Sequence, residues 1–246
     1  MSKKLSWLVL AIAGIFTING CFIDVDDDDG FFNCVDGSGP IVTETLTLPN
    51  FTGISLEMSG TVLISQGPVQ SVVVEGKGNI IDELELDVTN GIWHIETDRC
   101  VRDIGDLKIF ITVPDISVLN VSGSGDIISE NTLVIGDIEL DVSGSGTIDV
   151  EMEADDIDAA ISGSGEVFLS GSADELKFRI SGSGDLRSFN LQCRTADLTI
   201  SGSGDAEVRV SDQLDVRISG SGDVFYKGNP TLNVQISGSG QVVNAN

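Results

Sequence analysis

The chain has 246 residues, with 39 acidic against 13 basic side chains, a formal net charge of −26 and a pI near 4.1. That balance excludes nucleic acid and an anionic membrane face as electrostatic partners. A hydrophobic content of 41% in regular patterns argues against a disordered chain and for a packed core.

Residues 1–20 read as a lipoprotein signal peptide. Lys3 and Lys4 form a basic start, and Leu5 to Phe16 is an apolar stretch too short to span a bilayer comfortably. Thr17-Ile18-Asn19-Gly20-Cys21 then has the form of a lipobox, so Cys21 is the expected lipidation site and membrane anchor. Residues 21–40 read as an acidic tether, because Asp24 and Asp26 to Asp29 repel one another and stay extended. This run resembles the surface-export signal of bacterial lipoproteins; the expected location is the outer membrane, by a lipid anchor, and the sequence leaves open which face the protein occupies. It is a poor match to a calcium loop, since Val25 stands where the first acidic ligand belongs. In an oxidising envelope Cys34 and Cys100, both outside the repeat described below, are the preferred disulfide pair; Cys193 is then a lone thiol.

Residues 41–115 carry short alternating runs such as Thr61 to Ser65 and Ser71 to Glu75, and predict an irregular β segment. Leu84 to Thr89, Asn90-Gly91 and Ile92 to Ile95 predict a hairpin with a type I′ turn. Lys108 to Val113 leads through Pro114-Asp115 into the next region. Ser59-Gly60-Thr61 looks like a decayed form of the turn that recurs later, so the segment reads as an irregular start of one solenoid.

Residues 116–246 contain Ser-Gly-Ser-Gly seven times, beginning at Ser122, Ser143, Ser162, Ser181, Ser201, Ser219 and Ser237, at spacings of 18 to 21 residues. One residue before each copy stand Val121, Val142, Ile161, Ile180, Ile200, Ile218 and Ile236, all β-branched. Three before stand Leu119, Leu140, Ala159, Phe178, Leu198, Val216 and Val234; five after stand Ile127, Ile148, Val167, Leu186, Ala206, Val224 and Val242. Polar residues alternate with these, which means strands with one buried face. A unit this short cannot bury that face alone, so the prediction is an all-β fold, a parallel β-helix or β-solenoid of about seven regular coils. Continuing the alternation puts the glycines inside and the serines outside, where hydroxyl ladders are expected. Separate hairpins are the rival, disfavoured by the near-constant period. The last coil carries no covering helix, and an uncovered strand edge predicts self-association through it.

The order Leu-Pro-Asn-Phe-Thr-Gly-Ile at 48–54, Asn90 to Ile95, Ile111-Thr112-Val113-Pro114 and the repeated Ser-Gly-Ser-Gly-Asp resembles the family described as putative auto-transporter adhesin, head GIN domain, over roughly residues 40–243. The resemblance implies a β-solenoid in an exported bacterial protein, with adhesion by analogy, and it brings no catalytic residues.

The residues themselves specify no reaction. The position after each motif is Asp126, Thr147, Glu166, Asp185, Asp205, Asp223 or Gln241, which stacking would place in one outward column. Asp185, Asp205 and Asp223 are the candidate ligands for a structural calcium; the simpler reading is that they hydrogen-bond nearby amides in tight turns. None of the glycine pairs continues into a nucleotide-binding loop. A polysaccharide-cleaving solenoid enzyme using a carboxylate pair such as Asp185 and Asp205 is the alternative from another class. Against it, His94 is the sole histidine and alternates outward, so no Ser-His-acid or metal-histidine cluster is expected. Aromatics suited to sugar stacking are sparse, with Trp93 the one tryptophan after the signal peptide and Phe168 and Phe225 outward in non-neighbouring coils. The expectation is therefore a non-catalytic envelope lipoprotein that needs no cofactor and presents a rigid solenoid to an extracellular ligand.

Overall fold

The structure is a computed structural model that describes residues 34–246; the signal peptide, the Cys21 lipidation site and the aspartate run lie outside the described residues. In chain order, β1 (Val35–Asp36) and β2 (Ile41–Leu46) precede β3 (Gly53–Leu56) and β4 (Thr61–Gln66). Then come β5 (Ser71–Lys77), a single helical turn α1 (Gly78–Ile81), β6 (Val88–Thr89), β7 (Ile92–Ile95), β8 (Val101–Arg102) and β9 (Lys108–Val113). The repeat supplies β10 (Val118–Val121), β11 (Asp126–Ser129), β12 (Leu133–Val134) and β13 (Ile138–Gly144). Four long strands follow, β14 (Thr147–Gly163), β15 (Glu166–Gly182), β16 (Asp185–Gly202) and β17 (Ala206–Gly220), and β18 (Val224–Lys227), β19 (Thr231–Gly238) and β20 (Val242–Asn244) finish the chain.

The repeat region is a parallel solenoid. Each of β14 to β16 winds once around the axis and pairs in parallel with the next, so that Ile161 meets Ile180, Ile180 meets Ile200 and Ile200 meets Ile218. The three apolar columns read from the alternation point inward and are buried in every turn but the last. Side-chain volume is balanced along the axis as well as within a turn: Phe178 stacks directly on Ala159, the small residue below leaving room for the ring.

The Ser-Gly-Ser-Gly corners explain their own composition. Gly163 adopts φ +140°, and a Cβ there would land on the carbonyl oxygen of Gly144 in the turn below. Gly165 is buried, and a Cβ on it would meet the Val142 side chain and the Gly146 carbonyl. The serines face outward, but the ladder they form is not made of hydroxyls. The backbone N–H of Ser164, Ser183, Ser203, Ser221 and Ser239 donates to Gly144, Gly163, Gly182, Gly202 and Gly220 carbonyls, each at 2.8 Å. A glycine corner brings successive backbones close enough for amide bonds, which leaves the hydroxyls to solvent.

The N-terminal part joins the same column, but its turns are out of chain order. β3 lies between β7 and β10, and β4 lies between β9 and β11, all parallel. The first turn along the axis is therefore residues 92–113, the second 53–66 and the third 118–134. The irregular start thus belongs to the same solenoid, with its turns out of chain order. The decayed motif is genuine: Gly60 has φ +143°, and Ser59 Oγ lies 3.4 Å from Ser124 Oγ, 65 residues on. The connection at 114–117 steps across the second turn, where Ser117 N–H donates to the Thr52 carbonyl at 2.8 Å and Gln66 Nε2 donates to the Pro114 carbonyl at 3.1 Å.

The first turn is covered. β5 runs antiparallel to β9, and β2 antiparallel to β5, closing the ladder on that side. The hairpin turn is as read, with φ +55° at Asn90 and +80° at Gly91; Val88 and Thr89 pair across it, and an isolated bridge from Leu84 to Thr97 follows farther out. Trp93 is fully buried under this cap, 5.9 Å from the Phe51 ring, and its Nε1–H donates to the Glu85 carbonyl at 3.0 Å. Cys34 and Cys100 are joined as a disulfide beside the parallel pair β1–β8. Lys77 Nζ fastens the same corner, donating to the Gly37 carbonyl at 3.1 Å and the Asp103 carboxylate at 2.8 Å. Residues 34–37, the end of the segment read as a tether, are thus held against the cap.

Candidate functional site

Chemistry-bearing side chains can only sit on the outward columns, since the inward ones are filled with aliphatic residues. The position after each motif does form such a column, with Asp126 beside Thr147, Thr147 beside Glu166, and Glu166 beside Asp185. Its role changes along the axis. In the lower turns the N–H of Asp126, Thr147, Glu166 and Asp185 donates to the carbonyls of Gly60, Gly125, Gly146 and Gly165 at 2.9 to 3.1 Å. From Asp205 onward the amide turns to a side chain. The N–H groups of Asp205, Asp223 and Gln241 donate to Oδ1 of Asp185, Asp205 and Asp223, each at 2.8 Å. Charge-assisted bonds of this kind are about twice as strong as neutral ones, and they offset the repulsion between stacked carboxylates. Arg187 adds a clamp, donating to Asp185 at 2.9 Å and Glu207 at 3.1 Å. Among the described residues no group of three or more His, Cys, Asp or Glu is arranged to hold a metal ion.

One cluster is invisible to local pattern. β3 and β7 are neighbours, so Ser55 pairs in register with His94, and Glu57 reaches both. His94 Nδ1 lies 2.8 Å from Glu57 Oε1, and Ser55 Oγ donates to the same oxygen at 2.9 Å. The hydrogen bond from His94 holds the Glu57 carboxyl below its ordinary value, against the opposing pull of partial burial. A nucleophilic serine needs its hydroxyl on the imidazole; here the hydroxyl is spent on the carboxylate. The next residues in that outward column are Asn120 and Asp141. Burial, aided by the charge of Asp158, pushes the Asp141 carboxyl up, while Asn120 Oδ1 beside it accepts no hydrogen bond.

Other sequence candidates are dispersed. Trp93 is a core residue beneath the cap. Phe168 and Phe225 are half-buried in one outward column, separated by Arg187 and Glu207. Cys193 is a buried free thiol whose pKa is pushed up to about 12 by desolvation, which leaves it unreactive in the folded state.

The last turn differs from all others. Leu232, Val234 and Ile236 of β19 continue the inward columns, stacked on Leu214, Val216 and Ile218, but no turn lies above them. They are 41%, 39% and 43% exposed, whereas their counterparts one turn below are at most 2% exposed. One edge of β19 and β20 is unpaired, so this end offers an apolar surface bordered by free backbone donors and acceptors.

Among the described residues the architecture is a β-solenoid of the adhesin-like class, covered at one end and open at the other. The chain belongs to the family described as putative auto-transporter adhesin, head GIN domain, whose model matches residues 50–230. Among solved structures it is similar to a putative adhesin from Bacteroides fragilis, at 24% identity and TM-score 0.81, covering 85% of this chain and 99% of that one. A protein from Parabacteroides distasonis described as a putative lipid binding protein aligns at 24% identity and TM-score 0.71, covering 86% and 99%. A putative adhesin from the same species aligns at 23% identity and TM-score 0.69, covering 87% and 100%. At these identities the likeness establishes the fold. No curated protein matches the chain. No helix of the described residues is long and apolar enough to cross a membrane.

Proposed function

We propose that this chain is an outer-membrane lipoprotein, anchored through Cys21 and facing outward, that presents a rigid solenoid for adhesion or surface assembly. The observation that carries the reading is the difference between the two ends. The capped end carries the Cys34–Cys100 disulfide, and the opposite end of the column is the uncovered turn of β19. An anchor upstream of Cys34 therefore leaves the apolar end, with Leu232, Val234 and Ile236, as the part of the column farthest along the chain from the membrane. A second copy is the occupant that fits this end best, because its own β19 supplies the missing strand partner and an identical apolar strip. The cap obstructs head-to-tail stacking, so pairing through the open ends closes at two copies. The reading includes no cofactor: each of Asp185, Asp205 and Asp223 accepts an amide hydrogen bond from the next turn, which supports their role as turn acceptors over that of calcium ligands.

Two measurements test it. Protease added to intact cells should remove the wild-type protein, and Cys21→Ala should abolish its retention in the membrane fraction; a protein protected in intact cells would sink the outward-facing reading. Sedimentation of the purified mature protein should give a dimer that Ile236→Lys converts to a monomer. A wild-type protein that stays monomeric at high concentration would remove self-association. A melting temperature that falls in chelator would bring the metal back.

A further inference from the structure

On a side face of the solenoid, away from the open end's apolar strip, the fold builds a cationic groove. Seven of the eleven described lysines and arginines have a carboxylate within 4.0 Å; Arg102, Lys108, Arg209 and Lys227 do not. Two of those four, Arg209 and Lys227, are register neighbours on β17 and β18. On a chain with three acidic residues for every basic one, two stacked cations without a counter-charge among the described residues are a feature that the column's own electrostatics does not explain.

The local structure makes this place a groove. Between Ser188 and Gln192, β16 carries three residues with no partners on β17, and the register resumes at Gln192 beside Arg209. The bulge holds Phe189 against the turns that follow, and Lys227 Nζ sits 4.2 Å from the centre of its ring. Beyond it opens a cavity of about 450 Å³ lined by Gln192, Arg209, Ser211, Lys227, Asn229 and Asn246. A second hollow of about 490 Å³ shares Lys227 with the first, but Asp149 and Glu207 line it beside Phe168, Phe189 and Asn190, so the cationic site is the first hollow. The floor is fixed: Asn246 bonds both the N–H and the carbonyl of Gly228 at 2.8 Å, and Asn244 Oδ1 accepts from Asn246. Both volumes lie in the range of roughly 300–1,000 Å³ usual for ligand sites.

We propose that this groove binds an acidic glycan, with the carboxylate of a uronic acid seated on Arg209 and Lys227. Arginine offers a paired donor fork that matches a carboxylate, and lysine a point charge beside it. Gln192, Ser211 and Asn229 present donors and acceptors suited to ring hydroxyls, and the open shape admits a chain. Net repulsion from the acidic column does not prevent this, because at an ionic strength of about 0.15 M charges beyond about 8 Å are largely screened. The groove gives a ligand class to the adhesive reading; its floor at Asn244 and Asn246 belongs to the last turn, but its test reads Arg209 and Lys227 while the dimer test reads Ile236, so either can fail without the other.

Calorimetric titration at that ionic strength tests it, using the full mature protein and trimers of galacturonate, glucuronate and mannuronate beside their methyl esters, which keep the ring and lose the charge. At least one acid trimer should bind, and its ester at least about tenfold more weakly. Arg209→Gln with Lys227→Gln should weaken the acid by about tenfold or more at an unchanged melting temperature. Arg102→Gln with Lys108→Gln removes the same charge elsewhere and should leave the affinity as it was. Binding of no acid trimer, equal binding of acid and ester, or equal losses in the two double variants would each overturn the proposal.

Discussion

The two ends of the column are built from the same kind of turn and have opposite fates. At the first turn the chain lays β5 and β2 antiparallel over β9, buries Trp93 and fastens the corner with a disulfide and Lys77. At the last turn the columns simply stop, with Leu232, Val234 and Ile236 uncovered. A solenoid turn is stabilised from both sides, so what an end residue contributes depends on whether anything lies beyond it. The lesson is that position along the axis, more than residue type, sets the worth of a side chain here.

The sharpest test uses one residue type in one column. Ile200 is 1% exposed and Ile236 is 43% exposed. At a protein concentration low enough to keep the open ends apart, Ile200→Ala should cost about 2–5 kcal/mol in a denaturant titration, and Ile236→Ala less than about 1 kcal/mol; equal losses under those conditions would mean that the last turn is covered within the single chain. The capped end is broken next. Removing the disulfide with Cys34→Ser and Cys100→Ser should cost about 2–4 kcal/mol, with hydrogen exchange rising at β1 and β8 and not at β19. Asp223→Ala should cost about 1 kcal/mol by taking the acceptor from the Gln241 amide, read as faster exchange confined to β20. The smallest effect concerns Asp141, whose carboxyl is pushed up by burial and by Asp158. A carboxyl raised in the folded state favours folding while protonated and loses that contribution as pH rises through its folded value. Asp141→Asn should therefore raise the melting temperature at neutral pH by no more than about 2 °C. Below about pH 3, where both states hold the proton, it should change nothing.

Much of this molecule could be read before any coordinates. The columns through Val121, Leu119 and Ile127 were legible because every turn repeats the same local environment, so period-2 alternation and an 18-to-21-residue period were enough. Asn90-Gly91 announced its turn for the same local reason. What escaped was non-local. Nothing in the residues near Ser59-Gly60 says that its neighbours lie 65 positions later, or that residues 92–113 slip beneath it. Ser55, Glu57 and His94 therefore met unannounced. The side groove left a fainter mark, a period of 20 residues between Ser181 and Ser201 followed by 18: β16 spends three extra residues on its bulge and β17 recovers one beyond Cys193. The hydroxyl ladder failed because glycine corners let the backbones themselves bond.

The parallel register from β14 to β17 carries one more implication. A tandem duplication or loss of about one period, such as residues 181–200, would add or remove a storey while leaving foundation and roofline untouched, because each storey rests only on those next to it. Reach can thus be adjusted by unequal recombination within the coding repeat, without inventing a new surface, and descendants of such a gene should differ in height by whole storeys.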